Sequence, residues 1–304
     1  RKANVNPCRC IIWDISTARW AVKKCLPATI TRASKTYRDF VFPSRPEEIS
    51  VLLYALERNP DDANAHQHLG NLLAGLGRVE EAVPHWEIAG KIDPALSVSF
   101  RNLGLYYQTK KQDLDRASAY YQQAITARPS DQTLYRDLAE ILLANNNRTE
   151  AISVMCRTPF DKKLRDDIRI MLAQAYVDDQ RYEEAIDLLN NSERIIIWEG
   201  STVTWDIYRK AHMEHGKKLF NAQKYENALQ DFDATLLYPE NLGVGRGINP
   251  EQAEVHYWRG ECLLGLQREA EAQEAWQQGI QSGEGSESQN SYRQKCQQAL
   301  QKMK

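Results

Sequence analysis

His212 and His215, in the string His212-Met213-Glu214-His215, stand three residues apart, a helical spacing that a metal ion can bridge. Both fall at positions of a periodic pattern where large packing side chains recur, and His66 and His256 take the position of His212 elsewhere in the chain. Packing is therefore the reading these positions favour. His66, His68 and His85 lack a third ligand or a neighbouring Ser or Cys nucleophile. Gly243-x-Gly245-x-Gly247 has the spacing of a phosphate loop, but such a loop must follow a strand and open a helix, so that backbone N–H groups face the phosphates. Here the glycines follow a helical pattern that ends near Pro239, so an ordinary connection is expected. Cys8 and Cys10 form a C-x-C pair with no second pair at zinc spacing, and Cys25, Cys156, Cys262 and Cys296 are scattered, which reads as reduced thiols. No catalytic constellation, metal site or cofactor site is expected, and the chain reads as a non-enzyme.

Composition narrows the partners. The 304 residues are 42% hydrophobic and 26% charged, with 39 Lys and Arg against 41 Asp and Glu, a net charge of −2. That mix excludes a disordered or low-complexity chain, and so balanced a charge exerts no general pull on nucleic acid or anionic lipid. The apolar runs are short, such as Ile195 to Trp198, far below the roughly 20 residues that span a bilayer. Neither nucleic acid nor membrane is an expected partner. The chain opens on Arg1, which reads as a trimmed or processed start.

The elements that would position any site come from internal repetition. His66-x-x-Leu69-Gly70-x-x-Leu73, Phe100-x-x-Leu103-Gly104-x-x-Tyr107 and Tyr135-x-x-Leu138-Ala139-x-x-Leu142 are in register, and each is followed by Ala82, Ala117 or Ala151 and then by Trp86, Tyr121 or Met155. Three further units carry Ala173, Gly216 and Gly260, with Ala185, Ala228 and Ala272 and then Leu189, Phe232 and Trp276. The small residues at 70, 104, 139, 173, 216 and 260 are separated by 34, 35, 34, 43 and 44 residues. Gly or Ala marks the closest approach of paired helices, and Pro60, Pro94 and Pro129 stop each second helix because proline cannot continue it.

This pattern resembles the tetratricopeptide repeat. The resemblance implies an all-α solenoid, a right-handed superhelix of antiparallel helix pairs with about six repeats plus capping helices. Residues 1–45 read as a non-repeat segment or the remnant of an upstream domain, 46–280 as the array, and 281–304 as a linker and capping helix. The two long steps place insertions at 190–208 and 238–252. Tyr37-Arg38-Asp39-Phe40-Val41-Phe42-Pro43-Ser44-Arg45, Ile197-Trp198-Glu199-Gly200 and Tyr238-Pro239-Glu240-Asn241-Leu242-Gly243 also resemble the C-terminal repeat half of large bacterial proteins. Those proteins carry an N-terminal β-rich domain of unknown function, thought to be sugar-related. That likeness implies a bacterial chain with such an upstream domain as a further partner, and the scattered thiols read as those of a cytoplasmic protein.

In the tetratricopeptide fold the first helix of each unit lines a concave groove. Carried onto this sequence, the groove positions are Gln67, Asn71, Arg101, Asn102, Arg136, Gln174, Lys210, Lys217, Tyr257 and Trp258, with Glu140 and Glu261 as the acids beside them. Asn71 and Asn102 stand where related domains hold an extended peptide backbone, for which an amide supplies donor and acceptor together. Gln67 stands where such domains place Lys, which argues against a clamp for a terminal dicarboxylate. The four cations Arg101, Arg136, Lys210 and Lys217 predict a locally basic groove. Trp198, Glu199, Tyr238, Glu240 and Arg246 are expected to form a ledge where the two insertions meet, with Trp198 near Tyr238. The expected function is a noncatalytic scaffold that binds a peptide segment or neighbouring domain in the groove. The alternative is an accessory repeat half of a carbohydrate-active enzyme, lending loops to a glycan site.

Overall fold

The computed structural model describes residues 43–159, 163–198, 200–245 and 250–303. Residues 1–42, with Cys8, Cys10, Cys25 and the start of the Tyr37 string, lie outside the described residues, as do Glu199 and Arg246. Among the described residues every regular element is helical. Two compact units divide the chain after Phe160.

The N-terminal unit holds α1 (Glu48–Arg58), α2 (Ala63–Gly75), α3 (Val79–Ile92), α4 (Ser97–Tyr106), α5 (Leu114–Ala127), α6 (Gln132–Ala144) and α7 (Arg148–Cys156). Each helix packs on the next in sequence. Asp62 caps α2, its Oδ1 accepting from the N–H groups of Asn64 and Ala65 at 3.1 Å each, a contact worth about 1 kcal/mol. Asp131 does the same for α6 through the Thr133 N–H at 3.0 Å. Ile49, Leu52 and Leu56 of α1 cover the Leu69, Leu73 and Trp86 core of the first pair.

The C-terminal unit holds α8 (Asp166–Asp178), α9 (Tyr182–Asn190), α10 (Val203–Asn221), α11 (Tyr225–Ala234), α12 (Ala253–Gly265), α13 (Glu269–Gln281) and α14 (Glu287–Lys302). Here first helices also touch one another, α8 against α10, α10 against α12, and α12 against α14. Thus α14 occupies the place of a further first helix, and its Cys296 is fully buried in the core of the last pair.

The turn inside every pair is made the same way. One residue takes the left-handed region: Gly77, Gln112, Asn146, Gln180, Gln223 and Gln267, with φ of 82°, 53°, 57°, 60°, 60° and 63°. This residue lies seven after the small residue of the first helix in five units and eight after it in the unit of Gly104. The extra residue is absorbed by a π-helical turn over Tyr107–Lys111. That turn is the physical origin of the single 35-residue step, since a π-bulge is how an α-helix accommodates one inserted residue.

Helix pairs meet at two small positions. Ala82, Ala117, Ala151, Ala185, Ala228 and Ala272 are each 0% exposed. The other small position varies with its partner. A Cβ on Gly70 would lie 2.6 Å from Trp86 Nε1, one on Gly104 2.9 Å from the Tyr121 ring, and one on Gly216 2.8 Å from the Phe232 ring. Gly260 faces Trp276 still more closely. In the remaining two pairs Ala139 and Ala173 take the position, and the second helices carry Met155 and Leu189. Glycine therefore accompanies an aromatic ring, and alanine an aliphatic chain.

Candidate functional site

In the N-terminal unit the first helices α2, α4 and α6 share one polar face. Gly70 admits the Trp86 ring of α3 so deeply that its indole Nε1–H donates to Asn71 Oδ1 at 2.9 Å. Asn102 Nδ2 of α4 donates to the same oxygen at 2.8 Å. An indole nitrogen can only donate, so the Asn71 amide has one orientation, with its oxygen inward and its NH₂ available. The same reasoning leaves the Asn102 oxygen available as an acceptor. Beside them the Ser99 hydroxyl donates to Gln67 Oε1 at 3.1 Å.

The cations of this face are paired. Arg101 Nε lies 2.7 Å from one carboxylate oxygen of Asp137, and Arg136 Nη2 lies 2.6 Å from the other. Arg136 also reaches Glu140 at 3.5 Å. Asp137 is buried, and it sits at the register position of Asn102 one unit further on. The two guanidinium charges are balanced by Asp137 and Glu140 together, which works against the locally basic surface expected from the sequence.

The C-terminal unit shows the same neutralisation. Lys210 Nζ lies 3.5 Å from Asp178, whose carboxylate also accepts from Gln174 at 2.8 Å. Lys217 sits between Glu214 and Glu254 at 2.9 and 2.8 Å. Burial works against the Lys217 charge, but the hydrogen bonds to Glu254 and Glu214 hold its pKa above the usual lysine value. Trp258 is committed to packing, edge-on to Phe220 at 5.3 Å and over Phe232 at 6.2 Å. Tyr257 stands beside it, half-buried, and contacts Tyr292 of α14.

The sequence profile described as tetratricopeptide repeat matches residues 49–94, 107–155 and 213–287, more than half of the chain. The chain belongs to the tetratricopeptide-repeat family. Solved structures of this fold are similar at low identity. The structure of Naa15/Naa10 bound to HypK-THB is 18% identical with a TM-score of 0.57, over 89% of this chain and 39% of that one. The C-terminal part of a tetratricopeptide-repeat protein from Cytophaga hutchinsonii is 15% identical with a TM-score of 0.49, over 90% and 98% of the two chains. YrrB, described as a tetratricopeptide-repeat protein with an unusual peptide-binding site, is 18% identical with a TM-score of 0.45, over 64% and 94%. No helix among the described residues is long and apolar enough to cross a membrane.

The irregular connections of this tetratricopeptide-repeat chain do meet. Ile195 N–H donates to Asn241 O at 2.7 Å, Asn241 Nδ2 donates to Leu189 O at 2.9 Å, and the Thr204 hydroxyl donates to Leu242 O at 2.7 Å. Ile195 and Leu242 are buried beneath them, while Glu240 is exposed. The ring on Tyr238, however, is that of Trp205, stacked at 4.8 Å with 6° between planes. Trp198 was expected near Tyr238, and the stacked ring is the other tryptophan of the same insertion. Trp205 lies in the first turn of α10, where its indole N–H reaches Leu237 O at 2.9 Å and aligns it with the neighbouring Tyr238. Trp198 is 90% exposed. Trp198→Ala should accordingly change stability by no more than about 0.5 kcal/mol, as surface substitutions do, a result that urea unfolding will register.

His212 and His215 serve the interior of the same unit. His212 Nδ1 lies 2.7 Å from one oxygen of the buried Asp231, and His215 Nδ1 lies 2.7 Å from the other. His215 Nε2 reaches Glu183 of α9 at 3.1 Å. The two imidazoles thus tie α9, α10 and α11 together through carboxylates. Burial pushes the Cys262 and Cys296 thiols up to about 12, with Glu261 adding to the shift, so neither is a ready thiolate nucleophile.

Sequence reasoning missed Asp137 and Trp86 as determinants of these surfaces, and it placed Trp205 in the insertions without assigning it to Tyr238. Asp137 was legible in part, since it occupies the same register position as Asn102. For Trp86 the signal was its pairing with Gly70, and for Trp205 its place at the start of a helix.

Proposed function

We propose that the chain is a noncatalytic interaction scaffold, and that the N-terminal unit holds an extended peptide segment across α2 and α4. The observation that carries this reading is the Asn71–Asn102 pair, whose shared oxygen is occupied by Trp86 Nε1 and Asn102 Nδ2. One amide then offers an N–H donor and the next an oxygen acceptor, the complement of a peptide unit's C=O and N–H. Gln67 extends this polar track, and Arg101 and Arg136, neutralised by Asp137 together with Glu140, flank it without selecting an acidic terminus. Proteins of this family bind peptide or protein partners, which supports the reading. In the C-terminal unit Gln174, Lys210, Lys217 and Tyr257 form the corresponding face. We read 46–280 as the repeat array, 1–45 as a non-repeat segment and 281–304 as linker and capping helix, in a bacterial cytoplasmic protein.

The test uses peptides selected from a displayed library against the full chain. Asn71→Asp keeps the acceptor that Trp86 and Asn102 need but removes the outward donor, and Asn102→Ala removes the acceptor. Together they should weaken a selected peptide about tenfold or more while leaving the melting temperature within a few degrees, since each lost hydrogen bond is worth about 1 kcal/mol. Unchanged affinity would sink the reading.

One observation favours a second reading, in which the repeats lend loops to a glycan site beside an upstream β-rich domain. Trp198 presents its ring to solvent at 90% exposure, and an exposed indole stacks on sugar rings. Glycan-array binding by the full chain that disappears in Trp198→Ala would support it; an array without signal would remove it.

A further inference from the structure

The last pair of first helices carries a second feature that shares no residue with the Asn71–Asn102 pair. Tyr257 of α12 and Tyr292 of α14 face each other with ring centroids 5.6 Å apart and planes inclined by 50°. An ammonium group already lies against both rings. Lys295 Nζ is 4.0 Å from the Tyr292 centroid and 5.8 Å from that of Tyr257. The faces of two rings attract a cation through their quadrupoles, and Lys295 itself is an exposed residue that can leave without opening the core.

One turn beyond Tyr257 on the same helix stands Glu261, at the register position that Asn71 holds in the first unit. It is half-buried, and among the described residues it makes no ion pair. Burial raises its carboxyl pKa, an effect that the charge of Lys302 opposes. The other acids of this face are engaged. Glu254 and Glu214 hold Lys217 at 2.8 and 2.9 Å. Glu261 is thus a carboxylate partly removed from water with the Lys302 charge acting on it but no ion pair, an arrangement that a bound cation relieves.

We propose that Tyr257, Tyr292 and Glu261 form a subsite for the cationic side chain of a lysine or arginine on a partner protein, and that Lys295 fills the aromatic half of it in the free chain. The incoming cation displaces Lys295 from the two rings and gains the Glu261 carboxylate, which Lys295 does not pair with. The binding is one cation exchanging for another on the rings, plus one new charge contact.

The experiment titrates the blocked peptide acetyl-Gly-Gly-Lys-Gly-Gly-amide, and its norleucine counterpart, into the full chain labelled with fluorotyrosine, following the ring resonances by fluorine NMR. The lysine peptide should shift the Tyr257 and Tyr292 signals, and the norleucine peptide should not. Lys295→Ala should tighten the lysine peptide severalfold by removing the internal competitor, and Glu261→Gln should weaken it about tenfold. Glu261→Gln is nearly isosteric and removes a half-buried charge, so its melting temperature serves as the check that the fold is intact. Equal response to both peptides, no gain in Lys295→Ala, or no loss in folded Glu261→Gln would each overturn the proposal. A failure here leaves the Asn71–Asn102 reading standing, because that pair is assayed by its own variants.

Discussion

Trp276→Ala should destabilise the C-terminal unit by about 3–5 kcal/mol, the range for truncating a large core side chain. Trp276 is 1% exposed, and it fills the space that Gly260 leaves open between α12 and α13. Gly260→Ala should be costly for the opposite reason. Its new Cβ would fall within the van der Waals radius of the Trp276 ring, and overpacking of this kind costs about 1–3 kcal/mol. The informative variant is the double one. Where the chain itself places Ala at this position, the second helix carries Met155 or Leu189. Gly260→Ala with Trp276→Met should therefore be more stable than Gly260→Ala alone or than Trp276→Ala, and the two changes should couple by at least about 0.5 kcal/mol. Additive losses in urea unfolding would show that the ring and the missing side chain are not a matched pair.

Acid should unfold this chain through its histidines. His256 is 8% exposed. Burial, reinforced by the Arg259 charge, lowers its pKa from 6.5 to about 4. His85 is shifted in the same direction by burial and by His66. A base whose folded pKa is depressed binds fewer protons in the folded state, so its contribution is complete above the unfolded pKa near 6.5 and is lost as pH falls toward 4. For His256 the full span corresponds to about 3 kcal/mol, at about 1.36 kcal/mol per unit. Urea midpoints should therefore drop steeply between about pH 6.5 and 4.5, and His256→Gln should flatten that slope while lowering stability at neutral pH much less. A His256→Gln variant with the same pH slope as the parent would assign the acid sensitivity elsewhere.

Much of the architecture was legible without coordinates, and the reason is local. A helix repeats its environment every three to four residues, so apolar residues at those spacings, and prolines after Arg58, Ile92 and Ala127, report pairing and helix ends directly. The close approaches also leave a mark in residue type, because only Gly or Ala fits there. Even the irregular 35-residue step was present as a number, although its form as a π turn over Tyr107–Lys111 was not.

The surfaces were decided between units. Arg101 and Arg136 both reach Asp137, 36 positions from Arg101, and their two charges are balanced only by that carboxylate together with Glu140. Asn71 acquires a defined donor direction only because Trp86, 15 positions away, pins its oxygen. The two long connections were expected to meet, but which tryptophan stacks on Tyr238 depended on the indole of Trp205 reaching Leu237 O. Periodicity and residue size act along one helix and its immediate partner, so the sequence by itself determined the repeat fold and the inventory of each face. Hydrogen-bond direction, ion pairing and ring stacking depend on distances between side chains from different helices, and those were settled only by the tertiary structure.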